Sequence, residues 1–289
     1  MALAIGLERG LKVAFQKAYA ELTKSPDFDQ IKRVAMMAPS NNASEKYGWL
    51  GDIPDVSEWL GEIVAKELEE YDYSITNKNW QASIPVDKNS LDDDQYGMLM
   101  DRIKELPRAL LEHRWEMIED LFSDGTTKLA YDGSAFFANR SVNDNLLAGS
   151  GADTVAHIQA DILSTYAAMY NYKSDTGRKL RIKMDTIVCP VEIYGKVLEA
   201  VTEVQGATSK NVPSMFIKEV IPLPAQDDTT DWYGVCTGRT IKPFILQTRE
   251  EPKPELEEKK SSRQMLFFAH GRSNAGYGFP QLAAKVVNS

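Results

Sequence analysis

Histidine and cysteine are scarce in this chain of 289 residues, which holds three of the first and two of the second. His113, His157 and His270 are scattered, each without a local partner, and no GxSxG turn marks a nucleophile, so a Ser-His-Asp site is the weaker reading. Cys189 and Cys236 have no CxxC or His-rich neighbourhood. Both lie in apolar runs, which favours buried thiols in a reducing cytoplasm over a disulfide or a metal site. No GxxxxGK[ST] occurs, and Gly271, Gly276 and Gly278 do not form a GxGxxG between a strand and a helix. A glycine-bent strand pair is the better reading for them. No cofactor is implied. No apolar run approaches membrane-spanning length, and the N-terminus lacks an h-region followed by a small-residue cleavage site, so the expectation is a soluble protein made in the cytosol with no membrane partner. Positive charge is also in deficit: 33 Lys and Arg stand against 42 Asp and Glu, a net charge of −9. That argues against a dedicated nucleic-acid binder. It leaves open a container around DNA, since containment needs no attraction.

The composition is otherwise that of a globular protein, 43% hydrophobic and 26% charged, enough for one large domain or two smaller ones. Residues 2–22 predict an amphipathic helix, with Leu3, Leu7, Leu11, Val13, Phe15 and Tyr19 apolar, ended by Ser25 and Pro26. Residues 73–87 read as strand, with Ile75, Trp80, Ile84 and Val86 inward. A long helix follows over 92–123. Asp92, Asp93 and Asp94 gather at the positive end of its dipole, a cap in preference to a metal site, because adjacent carboxylates diverge and no further ligand follows at usable spacing. Pro107 should kink or split that helix. Further on, the pattern predicts a helix over 154–172, a strand over 180–188, a helix opened by Cys189 and Pro190, and strands over 215–223, 232–237, 240–249, 264–271 and 277–287. The charge-dense, Pro-containing segment 250–260 reads as the solvated tip of a hairpin. Glu257, Glu258, Lys259 and Lys260 are candidates there for salt-dependent pairs between copies. No internal repeat is present. Helices and strands do not alternate regularly, so the class is α+β.

One stretch has no period that would bury its aromatics: Tyr47-Gly48-Trp49-Leu50-Gly51-Asp52-Ile53-Pro54, then Ser57-Glu58-Trp59-Leu60-Gly61-Glu62. Exposed aromatic patches invite association, and Trp is the residue that best anchors a partner surface. Trp49, Leu50, Trp59 and Leu60 are therefore predicted to make contacts between subunits. Tyr131-Asp132-Gly133 reads as a turn with Phe136 and Phe137 packed behind it.

In this order the blocks around Trp49 and Trp59, then Ile75-Thr76-Asn77-Lys78, Asp92 to Gly97, Tyr131 to Phe137, Ile241-Lys242-Pro243, Gln247-Thr248-Arg249 and Arg272 to Gln281 resemble the major head subunits of Mu-like tailed phages. The match runs from about Phe15 to the C-terminus. It departs after Phe137, where the family's usual His-Pro is replaced by Ala138-Asn139-Arg140-Ser141. The resemblance implies the Hong Kong 97-type capsid fold: an N-terminal arm over 1–46, an E-loop over 47–72, a peripheral domain over 73–150 with its spine helix at 92–123, an axial domain over 151–239, and peripheral C-terminal strands over 240–289. It also implies no enzymatic activity. The expected role is a structural subunit whose hexamers and pentamers close an icosahedral shell around double-stranded DNA, without sequence-specific binding, assembled in the host bacterial cytoplasm and kept in the virion. Portal and scaffolding or protease proteins are the partners by analogy. Some shells of this fold join Lys to Asn covalently. Lys46, Lys66, Lys78, Asn77 and Asn79 are present, but nothing in their spacing supports a cross-link. Two rivals remain: an encapsulin-like protein-filled compartment, which keeps the fold, and a soluble hydrolase with paired carboxylates, for which no motif is present.

Overall fold

A computed structural model describes residues 2–47, 73–87, 96–174, 177–202, 212–224, 228–258 and 264–288. The chain opens with α1 (Ala2–Leu22) and α2 (Pro26–Val34). Ser25 accepts from the Phe28 backbone N–H and Pro26 occupies the first turn, so the second helix starts where the sequence changes from Lys to Ser-Pro. Strand β1 (Ala35–Pro39) follows directly. The short strands β2 (Ser44–Lys46) and β3 (Ser74–Thr76) form a two-stranded pair, and β4 (Lys78–Asp87) leads toward α3 (Tyr96–Ser123). Asp92, Asp93 and Asp94 lie outside the described residues. Pro107 sits inside α3 without ending it, although its ring removes the hydrogen bond to the Ile103 carbonyl.

Strand β5 (Leu146–Ala148), α4 (Val155–Tyr170), β6 (Thr186–Pro190), α5 (Val191–Thr202), β7 (Glu219–Leu223) and β8 (Trp232–Val235) make up the middle of the chain. The long hairpin β9 (Phe244–Glu258) and β10 (Gln264–Tyr277) comes next, and β11 (Ala283–Val287) is last. Two sheets result, ordered β1-β9-β10-β4 and β5-β11-β8-β6-β7. In the first, α1 and α3 cover one face: Leu11, Phe15, Ile103, Leu106 and Leu110 pack on Val86, Met265, Phe267 and Ala269. In the second, every residue of β6 and of β8 is buried. Ile187, Cys189 and Trp232 face the cluster that holds α4 and α5, while Val188, Tyr233 and Val235 face the cluster of α2 and the end of α3. Coverage on both faces explains the unbroken apolar run Ile187-Val188-Cys189. Both cysteines are free and buried, and burial pushes the Cys189 thiol up to about 12.

Leu11 and Phe15 of α1 are buried against the chain's own spine helix. Three expectations need correction. The strand expected over 180–188 starts only at Thr186, because Arg181 adopts φ 51°, which interrupts an extended ladder. Residues 283–287 join the sheet of β6, β7 and β8 rather than the strands that precede them. The segment from residue 250 is not all tip, for β9 continues through Glu258 in register with Met265. Its partner β1 ends at Pro39 opposite Thr248. Beyond that point β9 is an edge strand, where Pro252 and Pro254 cost no shared ladder bond.

Candidate assembly site

The described residues that flank the stretch carrying both Trp residues lie side by side. Strands β2 and β3 pair Ser44 with Thr76, Glu45 with Ile75 and Lys46 with Ser74. The Tyr47 N–H then donates to the Tyr73 carbonyl at 2.8 Å, and the Asn77 N–H donates to Ala43 at 2.9 Å. The chain's exit and return are thus tied side by side into a neck. Trp49, Leu50, Trp59, Leu60 and Lys66 lie outside the described residues.

The neck is seated by a buried polar network. Tyr47 donates its hydroxyl to Gln247 Oε1 at 2.8 Å. Gln247, fully buried in β9, donates to the Ile75 carbonyl at 3.2 Å and to Asn77 Oδ1 at 2.8 Å. Asn77 in turn donates to Ser40 Oγ and to the Asn42 carbonyl, both at 2.9 Å. Each amide hydrogen of the two buried amides has an acceptor, which is what makes a buried polar cluster stabilising. Outside it, the Asn41 backbone N–H and the Asn42 side-chain amide hold the Glu45 carboxyl below its ordinary range.

A second anchor runs from the return strand to the spine. Tyr73 Oη accepts from the Tyr277 N–H at 2.7 Å, and Tyr277 donates its own hydroxyl to the Leu121 carbonyl of α3 at 3.1 Å. Burial raises the pKa of Tyr47 to about 12 and also raises that of Tyr73, so both stay protonated at neutral pH. Asn274 donates to the Thr76 carbonyl at 2.8 Å, and Trp80 Nε1 to the Ser273 carbonyl at 2.9 Å. Gly276 and Gly278 make this approach possible. A Cβ on Gly276 would lie 2.5 Å from Ile75 Cδ1, and one on Gly278 would lie 2.6 Å from the Lys242 carbonyl oxygen. The Ile241-Lys242-Pro243 and Gln247 blocks and the later Asn274-Ala275-Gly276-Tyr277-Gly278 block therefore form one seat.

The Tyr131 block braces the other side of Tyr277. Gly133 takes φ 74° in its turn, Phe136 stacks on Tyr277 with centroids 4.6 Å apart, and Tyr131 lies 3.2 Å from Gln281 Nε2. Where the family's His-Pro is missing, Arg140 pairs with Asp132 and donates to the Ala135 and Phe136 carbonyls.

The other candidate groups are dispersed. His113 bonds Glu116 at 3.1 Å against Trp80, His157 bonds Asp153 at 2.8 Å, and His270 lies on β10 beside Phe268. Among the described residues no cluster of three or more His, Cys, Asp or Glu is placed to hold a metal ion. Asn77 is committed to the seat, which removes it from the cross-linking candidates; Lys78 and Asn79 are exposed. Glu257 is exposed opposite Leu266, Glu258 ends β9, and Lys259 and Lys260 lie outside the described residues. Motif spacing did not disclose the seat, because its partners Tyr47 and Gln247 are 200 residues apart.

Residues 5–161 and 217–289 match the family described as Mu-like prophage major head subunit gpT. The chain belongs to that family. The Mu-like head subunits similar to it include the FluMu major head subunit of Haemophilus influenzae, 26% identical over 287 residues, covering 97% of this chain and 73% of that protein. The major capsid protein of Escherichia phage Mu is 33% identical over 265 residues, which cover 89% of this chain and 66% of that one. Among solved structures, the procapsid of bacteriophage JBD30 superposes with a TM-score of 0.59 at 25% identity, covering 98% of this chain and 76% of that one. The virus-like particle of Pyrococcus furiosus has the same fold, with a TM-score of 0.59 at 10% identity and coverage of 97% and 99%. The head-subunit chain thus has the α+β Hong Kong 97-type capsid fold.

Proposed function

We propose that many copies of this chain assemble, through hexamers and pentamers, into an icosahedral head shell that encloses double-stranded phage DNA, and that the loop held by the neck makes the contact that closes it. The observation that carries this reading is the seat itself. A buried network and two glycine approaches are spent on fixing the exit and return of a segment rich in Trp, Leu and acids. Fixing both ends of a segment lowers the ordering cost of binding a neighbour. In a closed lattice, contacts that are individually weak are summed. No reaction is assigned to the chain.

Within this reading 1–46 is the arm, packed largely on its own spine, and 47–72 the E-loop. The spine helix and long hairpin form the peripheral part, and 151–239, joined by β5 and β11, the axial part. Portal and scaffolding or protease proteins act during assembly in the host bacterial cytoplasm, and the mature protein resides in the virion. Among the described residues no helix is long and apolar enough to cross a membrane. The alternative, a compartment filled with protein, keeps the same fold and differs in its content.

Electron microscopy and nucleic-acid content of particles purified from producing cells test the proposal. Closed shells with nuclease-protected DNA are expected. Shells filled with protein would favour the alternative, and a small oligomer at every concentration would contradict both.

A further inference from the structure

Residues 179–184 alternate basic and apolar side chains against the general acidity of the chain. Leu180, Ile182 and Met184 are buried, while Lys179, Arg181 and Lys183 are exposed. Arg181 and Lys183 open onto a recess of about 470 Å³ that Lys218 and Arg239 also line, with Tyr166 and Phe216 as an aromatic wall 4.3 Å apart. Asp185 is the one carboxylate among its lining residues. It does not serve the cations: Asp185 Oδ1 accepts from the Thr237 N–H at 2.7 Å, from the Thr237 hydroxyl at 2.9 Å and from Thr186 at 3.3 Å. Arg239 donates to the Leu180 carbonyl at 2.7 Å and braces the turn in which Arg181 takes its positive φ. Among the described residues the side chains of Arg181, Lys183 and Lys218 form no ion pair and no hydrogen bond.

Three unpaired cations converging on one recess, in a chain of net charge −9, make a local anion-attracting field that the whole-chain charge hides. Their ends are not held in a fork by neighbours, which a bidentate carboxylate partner would favour. Phosphate contacts tolerate that freedom, because counterion release rather than fixed geometry supplies the affinity. We propose that this recess contacts the phosphates of double-stranded DNA, without sequence preference, through Arg181, Lys183 and Lys218, with Arg239 as a positioning residue. The inference rests on the proposed enclosure of DNA and assigns the contact to one place on the subunit.

The test uses the full chain and a fluorescent 30-base-pair duplex, with anisotropy read from about 20 to 150 mM salt. Each phosphate contact contributes about 0.9 to the slope of log affinity against log salt. The parent is expected to bind at low salt with a slope near −3, and to lose measurable binding by physiological salt. The triple variant Arg181→Gln, Lys183→Gln, Lys218→Gln should bind at least about tenfold more weakly at 20 mM salt, its slope reduced by about 2 to 3. The charge-keeping variant Arg181→Lys, Lys183→Arg, Lys218→Arg should behave as the parent does, which separates charge from folding. Equal affinity and slope in the parent and the Gln variant, or no binding by the parent at 20 mM, would overturn the proposal. Unchanged duplex binding with lost shell assembly would overturn it in favour of an acidic surface on a second copy. Particle formation is scored separately by microscopy, so failure here is distinguishable from failure of the shell reading.

Discussion

Tyr47 and Gln247, 200 residues apart, share a buried hydrogen bond of 2.8 Å that fastens the mouth of the neck to β9. Because Gln247 also serves Ile75 and Asn77, the bond belongs to a network whose members lose their partners together. Gln247→Leu should destabilise the subunit by about 2–4 kcal/mol, since it strips the Tyr47 hydroxyl and Asn77 Oδ1 of their partner and leaves the Ile75 carbonyl with the Ser44 hydroxyl alone. Tyr47→Phe should cost about 1–2 kcal/mol. Denaturant melts of both single variants and the double variant check the coupling, which should exceed about 0.5 kcal/mol. Additive losses would mean that the two side chains act independently.

Arg114 ties the spine to the hairpin. Its side chain is only 4% exposed and donates to Glu251 at 2.7 Å, and the Tyr19 hydroxyl of α1 donates to the same carboxylate oxygen. Glu251→Gln should therefore lower stability by about 1–2 kcal/mol, a modest figure because Glu251 is itself solvent-accessible. Replacing Glu257, Glu258, Lys259 and Lys260 with Ser should leave the melting temperature of the subunit unchanged. Equal melting temperatures for the Gln variant and the parent would show that the Arg114 pair contributes nothing.

The arm helix supplies core. Deleting residues 1–24 removes Leu11 and Phe15, both essentially inaccessible to solvent. The truncated chain should be insoluble or melt far below the parent. Phe15→Ala alone should cost about 3–5 kcal/mol. A truncated subunit as soluble and stable as the parent would mean that α1 does not pack on its own spine.

Glu119 gives the spine a pH dependence. It is 3% exposed, its Oε1 has no hydrogen-bond partner among the described residues, and burial, then Glu116 and Asp120, push its pKa up to about 7 from 4.5. With the folded value above the unfolded one, stability is full below about pH 4.5 and is lost as pH rises through 7. Glu119→Gln should abolish that loss, so that its advantage over the parent grows between pH 5 and pH 8. The shift limits the gain to about 3 kcal/mol. Parallel melting curves across that range would place the Glu119 carboxyl in contact with water.

Periodicity made α1, the spine and the strand at β4 legible, because each keeps one apolar face over several turns or residue pairs. The resemblance supplied the fold class, which residue pattern alone left at α+β. What remained illegible depended on distant partners. The continuation of β9 past Arg249 was hidden by Pro252 and Pro254, which signal a break unless the strand is known to lie on an edge. Glu251 looked like one more solvated acid until Arg114 stood opposite it. Gly276 and Gly278 suggested bent strands, but not that Ile75 and the Lys242 carbonyl would occupy the space a side chain needs.

On the proposed reading, Trp49 and Trp59 anchor the segment between Tyr47 and Tyr73 on a neighbouring subunit. Electron microscopy of the Trp49→Ala, Trp59→Ala double variant, on a sample whose circular dichroism matches the parent's, tests it most directly. Folded subunits that fail to close shells are the predicted result. Normal closed shells from the double variant would contradict it.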